Sequence, residues 1–211
     1  MKFLLFSDLH ANRTAAEAIV QRAQAVDILI GAGDFATVRR NLQDCIDVLR
    51  VIDRPTVLVA GNNETTDELR AACRQWSSAH ILHGTGIMIE KISFFGIGGG
   101  IPVTPFGAWS YDFSDEQARD LLDDCPHGCI LVSHSPPKGT VDVSARGESL
   151  GSTAIREVVE RVRPLLVVCG HIHASAGQEA AIGTTPIVNA GPQGIEWLLG
   201  ESTQAPISSG I

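Results

Sequence analysis

Phe3-Leu4-Leu5-Phe6-Ser7-Asp8-Leu9-His10 is the stretch whose reading decides the fold of this chain. Four consecutive apolar residues are too few to span a membrane and read as a buried strand. A carboxylate and an imidazole then follow two residues apart. In extended backbone the pair points to one side, because side chains there alternate with a period of two. One hard oxygen and one borderline nitrogen just past a strand end make half of a divalent-metal site.

Working outward, the same arrangement recurs. Asp27-Ile28-Leu29-Ile30 leads into Gly31-Ala32-Gly33-Asp34, and Thr56-Val57-Leu58-Val59-Ala60 into Gly61-Asn62-Asn63-Glu64. Further on, Cys129-Ile130-Leu131-Val132 leads into Ser133-His134-Ser135, and Leu165-Leu166-Val167-Val168-Cys169 into Gly170-His171-Ile172-His173. Between these runs the apolar spacing is helical. Asn12 is placed to cap a helix whose apolar face is Ala15, Ala18, Ile19, Ala23 and Val26. Leu42, Cys45, Ile46 and Leu49 mark a second helix, Leu69, Cys73 and Trp76 a third, and Ala118, Leu121 and Leu122 a fourth. Ser152 is placed to cap a fifth with Ile155, Val158, Val159 and Val162 on one face. Strand and helix in alternation predict an α/β fold with mostly parallel strands. In such a sheet the carboxyl ends of the strands share one edge, where ligands bind, so donors scattered from Asp8 to His173 are predicted to converge. Glycines precede three of them, at Gly33, Gly61 and Gly170, where tight turns bring backbone close to neighbouring groups.

The middle of the chain is different. Ile87-Met88-Ile89 is expected to pair with Phe94-Phe95-Gly96-Ile97, and short strands are expected near 180–182 and 186–189. Three glycines, Gly98 to Gly100, open a segment through Tyr111 with no strand or helix period, and loops of that length are usually functional or mobile. His80, His83 and His127 lie outside the donor blocks and read as surface or strand-flanking residues.

At 211 residues the chain buries one sizeable core, so one domain over 1–200 is expected, with 201–211 as a loosely held Ser-, Pro- and Gly-containing tail. A net charge of −8 opposes a grip on long nucleic acid, though not on a small anion that meets a bound cation. Five cysteines with no CxxC pair fit buried thiols in a reducing compartment. The opening apolar run is too short for a leader, and a cytoplasmic protein off the membrane is expected.

The blocks Asp8-x-His10, Gly33-Asp34, Gly61-Asn62, His134 and Gly170-His171-x-His173 resemble, in order and spacing, the signature of the calcineurin-like metallophosphoesterases, and in particular their small single-domain members. The resemblance implies a four-layer αββα sandwich, mostly parallel sheets with helices on the outer faces, holding two metal ions. Asp8, His10 and His173 would bind one ion, Asn62, His134 and His171 the other, and Asp34 would bridge them. Imidazole and carboxylate ligation without thiolate points to manganese, iron or zinc. A bridging hydroxide would then attack a phosphomonoester or phosphodiester, a small-molecule substrate. A serine–histidine hydrolase built on Ser133 or Ser135 is disfavoured, since chain neighbours diverge in a strand and no G-x-S-x-G elbow is present.

The pattern departs at Asn63. Many members of the family carry a leaving-group acid, His, at that position, and an amide has no proton of suitable pKa to give. Glu64 or a metal-bound water is expected to replace it, unless the substrates are esters with acidic leaving groups. Asn12 and Asn63 are candidate substrate contacts. The alternative is a metal- or nucleotide-binding module with little turnover.

Overall fold

Strand β1 (Lys2–Phe6) divides its side chains between two cores: Phe3 and Leu5 enter one, Leu4 and Phe6 the other. That division organises the whole of the computed structural model, which describes residues 1–200. Along the chain follow α1 (Arg13–Ala23), β2 (Ile28–Gly31), α2 (Leu42–Leu49), β3 (Thr56–Leu58), α3 (Thr66–Ala72) and β4 (Ala79–Ile81). The hairpin β5 (Thr85–Ile89) and β6 (Ile92–Ile97) precedes α4 (Asp115–Leu121), β7 (Ile130–Ser133), α5 (Thr153–Val162) and β8 (Leu166–Cys169). Strands β9 (Glu179–Ile182), β10 (Thr185–Asn189) and β11 (Ile195–Leu198) come last.

The strands form two sheets. One has the order β11-β1-β2-β3-β4, parallel except for β11; the other is β5-β6-β7-β8-β10-β9, parallel from β6 to β10 with antiparallel edges. Side chains alternate across each strand, so each sheet is greasy on both faces. Phe3, Leu5, Ile30 and Val57 meet Phe94, Ile130, Val132 and Val168 between the sheets. Phe3 and Phe94 close that layer edge to face, with centroids 6.3 Å apart. Leu4, Phe6 and Leu29 face Ile19, Ile46 and Leu69 of α1, α2 and α3, while Leu131 and Val167 face Ile155, Val158 and Val159 of α5. The result is the αββα sandwich.

Local chemistry ends the helices where the sequence indicates. The Asn12 side chain accepts from the Ala15 N–H at 3.1 Å, and Ser152 accepts from Ile155 at 3.1 Å. Thr65 with Glu68 and Ser114 with Gln117 form reciprocal capping boxes.

Several expectations need correction. The two sheets are those the resemblance implies, and only the single shared sheet edge read from strand–helix alternation changes. Donor-bearing strands lie in both sheets, because β3 passes to the edge strand β4 and the chain then opens a second sheet with the β5–β6 hairpin. Ala18 faces solvent and Ala16 takes its place in the core. Strand β3 ends at Leu58, and Val59 and Ala60 already belong to the loop. Strands β4 and β11 were not anticipated. The expected tail over 201–211 lies outside the described residues.

Candidate metal centre

All the donor blocks follow the carboxyl ends of parallel strands: Asp8 and His10 after β1, Asp34 after β2, Asn62 after β3, His134 after β7, and His171 and His173 after β8. Because the two sheets face each other, their ends share one rim. Asp8, His10, Asp34 and His173 bring one donor atom each to within 4.8 Å of one another, and so do Asp34, His134 and His171. Asp34 belongs to both groups. Asn62 joins the second, its Oδ1 lying 3.3 Å from His134 Nε2.

The local route differs from the expectation of extended backbone. Asp8, His10, Asp34 and His171 all have left-handed backbone, with φ of 54°, 45°, 58° and 67°. For residues with a side chain this conformation costs about 1–3 kcal/mol each and persists only where surroundings enforce it. Here they do. Asp8 N–H donates to Gly33 O at 2.9 Å and His10 N–H to Asp34 O at 2.9 Å, stitching the β1 exit to the β2 exit. Two glycines leave the necessary room: a Cβ on Gly61 would sit 2.0 Å from Asp34 Oδ1, and one on Gly170 2.5 Å from Asp8 Oδ2.

The donor set fits divalent cations. His10 Nδ1 faces the Ala36 carbonyl at 3.2 Å and His134 Nδ1 faces the Ala32 carbonyl at 2.7 Å. A carbonyl only accepts, so each Nδ1 carries the hydrogen and each Nε2 turns a lone pair inward. Those lone pairs look at further acceptors: His10 Nε2 at Asp34 Oδ2 (3.6 Å), His134 Nε2 at Asp34 Oδ1 (3.5 Å). His10 Nε2 and His173 Nε2 are 3.0 Å apart. Ligand-to-ion distances of about 2.0–2.2 Å place neighbouring donors roughly 3.0–3.6 Å from each other, as these are.

Electrostatics agree. Burial, and then the negative charge of Asp8, push the Asp34 carboxyl up to about 7. Burial would raise Asp8 as well, but the hydrogen bond with His173, the His134 imidazole and the Ser7 hydroxyl outweigh it and hold Asp8 at about 2. Burial and the neighbouring His134 push His171 down to about 3. The bond to Asp8 raises His173. Crowded carboxylates and an imidazole that resists a proton together call for a positive charge that is not a proton.

A layer of supporting bonds holds the donors. Glu64, expected to act as an acid on the leaving group, is corrected to a different role. It is fully buried, and its Oε1 accepts from the Asp34, Phe35 and Gly61 N–H groups while Oε2 accepts from Ala36. Burial, then the charge of Asp34, raise its carboxyl to about 7. Asn63 lines the cavity, but its amide is engaged at both ends: Nδ2 donates to Asp34 Oδ2 at 2.7 Å and Oδ1 accepts from Val38 N–H at 2.7 Å. Asn12, the other candidate substrate contact, caps α1 and lies outside the cavity lining, so it is corrected to a cap. Ser133 and Ser135 are buried and bonded to backbone, away from any nucleophilic role.

Sequence reasoning missed three supporting residues. Ser7 donates to Asp8 Oδ2 at 2.5 Å. Asn62 Nδ2 donates to Ser110 Oγ at 2.9 Å, and Ser110 donates on to Asp112 Oδ1 at 2.8 Å, which turns Asn62 Oδ1 toward the histidines. Only the serine beside Asp8 had a local signal.

The centre opens into a cavity of about 710 Å³ whose far wall comes from the segments around Pro102–Trp109 and Ser144–Leu150. Arg146 is the one arginine or lysine in its lining. The five cysteines are free and buried. No described helix is long and apolar enough to cross a membrane.

Comparison with known proteins agrees with this geometry. A family model for calcineurin-like phosphoesterases matches residues 1–175. A UPF0046 protein of Caenorhabditis elegans is 26% identical over 185 residues, covering 78% of this chain and 62% of that protein. The curated relatives that the chain matches are longer proteins, of which it spans between 16% and 62%. A Thermus thermophilus structure superposes with a TM-score of 0.69 at 17% identity, over 91% of this chain and 90% of that one. A dimetal phosphatase from Danio rerio gives 0.58 at 14% identity, over 90% and 86%. At these identities the likeness concerns the fold.

Proposed function

The chain belongs to the calcineurin-like phosphoesterase family, and from that premise we propose that it hydrolyses a phosphomonoester or phosphodiester at a pair of divalent cations. The observation that carries this reading is the meeting of two donor groups in one shared carboxylate, Asp34. Asp8, His10, Asp34 and His173 would hold one cation; Asp34, Asn62, His134 and His171 would hold the other. Two such cations supply activation of water near neutral pH and offset the charge of the phosphoryl oxygens.

The chain's own residues do the rest. Glu64 fixes Asp34 through its backbone N–H, and Asn63 fixes the carboxylate itself, its backbone N–H donating to Oδ1 and its Nδ2 to Oδ2, so that the two oxygens face the two groups. The carbonyls of Ala36 and Ala32 set the imidazoles of His10 and His134 with Nε2 inward. Imidazole and carboxylate donors fit manganese, iron or zinc. A small-molecule phosphate ester suits the cavity and the net charge of −8 better than long nucleic acid does. Five free thiols suit a reducing compartment such as the cytoplasm.

Neither Asn63 nor Glu64 offers a proton to the leaving group. The expected consequence is a rate that falls steeply as the leaving-group pKa rises across a series of aryl phosphodiesters. A flat series would mean that an acid acts there after all. The same locked amide is the one feature that favours a second reading, a nucleotide- or metal-binding module with little turnover. Hydrolysis of bis(4-nitrophenyl) phosphate with added manganese, and its loss with chelator, supports the enzyme. Binding without turnover supports the module.

A further inference from the structure

Among the large apolar side chains that stand open to water, Val103 (62% exposed), Phe106 (51%) and Leu150 (44%) gather in the lining of the metal-centre cavity. Phe106 does not dangle there. Its ring stacks on Trp109 with centroids 5.6 Å apart and planes 19° from parallel, so the ring is backed by an indole while the residue stays 51% exposed.

The segment carrying this pair is fastened to the donors. Thr104 N–H and Oγ1 both donate to Asp112 Oδ2, at 2.9 and 2.6 Å, and Ser110 bonds to Asp112 and to Asn62. Tyr111 N–H donates to Asn62 O at 3.0 Å, and Gly100 and Tyr111–Phe113 exchange backbone bonds. On the other flank, Arg39 Nη1 reaches Trp109 O. The aromatic pair is thus held at a fixed offset from Asn62, and a ligand that meets both needs little further ordering of the protein.

Resting on the phosphoesterase reading above, we infer that Phe106, backed by Trp109, is the specificity platform for a planar aromatic group on the substrate. The substrate class is then a phosphate ester whose non-phosphate part carries a flat ring system, as a nucleoside does. A flat face selects flat partners: stacking gains contact over a whole ring at once, whereas an alkyl chain touches it along one line.

The test keeps the leaving group constant. Thymidine 5′-(4-nitrophenyl phosphate) and methyl 4-nitrophenyl phosphate release the same nitrophenolate and differ in the group that stays. With manganese-loaded protein, KM for the thymidine ester is expected to be lower by about 5- to 150-fold, the range of one base–aromatic stack, with kcat similar. Phe106→Leu, which keeps apolar bulk and loses the flat face, is expected to erase that difference; Phe106→Tyr is expected to keep it. Calorimetric titration of both variants is expected to give the manganese affinity of the unsubstituted protein, which checks that the donors stay assembled. Equal KM values, or a preference that survives in Phe106→Leu, would overturn the platform while leaving the phosphoesterase reading intact. If neither ester turns over, the phosphoesterase reading fails, and calorimetric titration of the intact esters reads the same preference as a ratio of Kd values.

Discussion

Ser110 stands 48 positions after Asn62, yet its hydroxyl oxygen accepts the amide hydrogen that decides which way Asn62 faces. An amide that turned over would offer N–H groups to the place where a cation is to bind. Bonds of this supporting kind are worth about 10–100-fold in metal affinity. Ser110→Ala is therefore expected to weaken manganese binding by roughly that factor in calorimetric titration, and Ser110→Thr to restore most of it. Thermal unfolding of the metal-free protein should change little in either case, and an affinity unchanged in Ser110→Ala would show that Asn62 needs no such guide. The donors themselves were legible from the sequence because each lies within a few residues of the end of an apolar run. Ser110 and Asp112 were not, since nothing in a stretch of primary structure announces a partner so far away. Glu64 was misread for a related reason. A carboxylate beside an Asn-Asn pair looks available for chemistry until four backbone N–H groups are seen to converge on it.

Among the elements, α4 and α5 begin against each other. Asp115, the first residue of α4, accepts from the Ser152 hydroxyl at 2.5 Å and from the Ala154 N–H at 3.0 Å through one oxygen. Burial would raise this carboxyl, but those bonds outweigh it and hold Asp115 below the usual carboxylate range. A group whose folded pKa is depressed stabilises the fold fully above its unfolded value, about 3.9, and loses that contribution as pH falls through the folded value. Asp115→Asn is thus expected to be less stable than the parent in urea unfolding at pH 7, by an amount that shrinks as the pH drops below about 4. A difference independent of pH would assign the effect to shape rather than charge. The five helices were readable because their faces repeat at helical spacing, and Asn12 and Ser152 marked the starts of two of them. Strands β4 and β11 were not. Three and four residues long at the edges of a sheet, with only partly buried side chains, they owe their conformation to the neighbour they pair with.

At the scale of the whole molecule, the rim exists only while the two sheets stay in register, and the layer between them is what keeps them so. Phe94 is fully buried there against Phe3. Phe94→Ala is expected to cost about 3–5 kcal/mol by urea unfolding, through the cavity it leaves. Added manganese should recover part of the loss, because a ligand that binds only the folded state stabilises it by mass action. If manganese leaves the unfolding curve of the variant and of the parent unmoved, the donors do not hold a cation in the folded chain. The two-sheet architecture came from a resemblance of motifs; strand-and-helix alternation alone indicated a single sheet, because alternation says which elements are adjacent in the chain and not where one sheet stops.

Asp8 and His173 lie near opposite ends of the described chain, and both donor groups take a histidine from the segment directly after β8. During synthesis on the ribosome, therefore, the aspartates emerge long before the imidazoles that complete their cages. A centre built from these groups is complete only after the Gly170–His173 segment has emerged, and a nascent chain stalled before Gly170 would lack a histidine of each group.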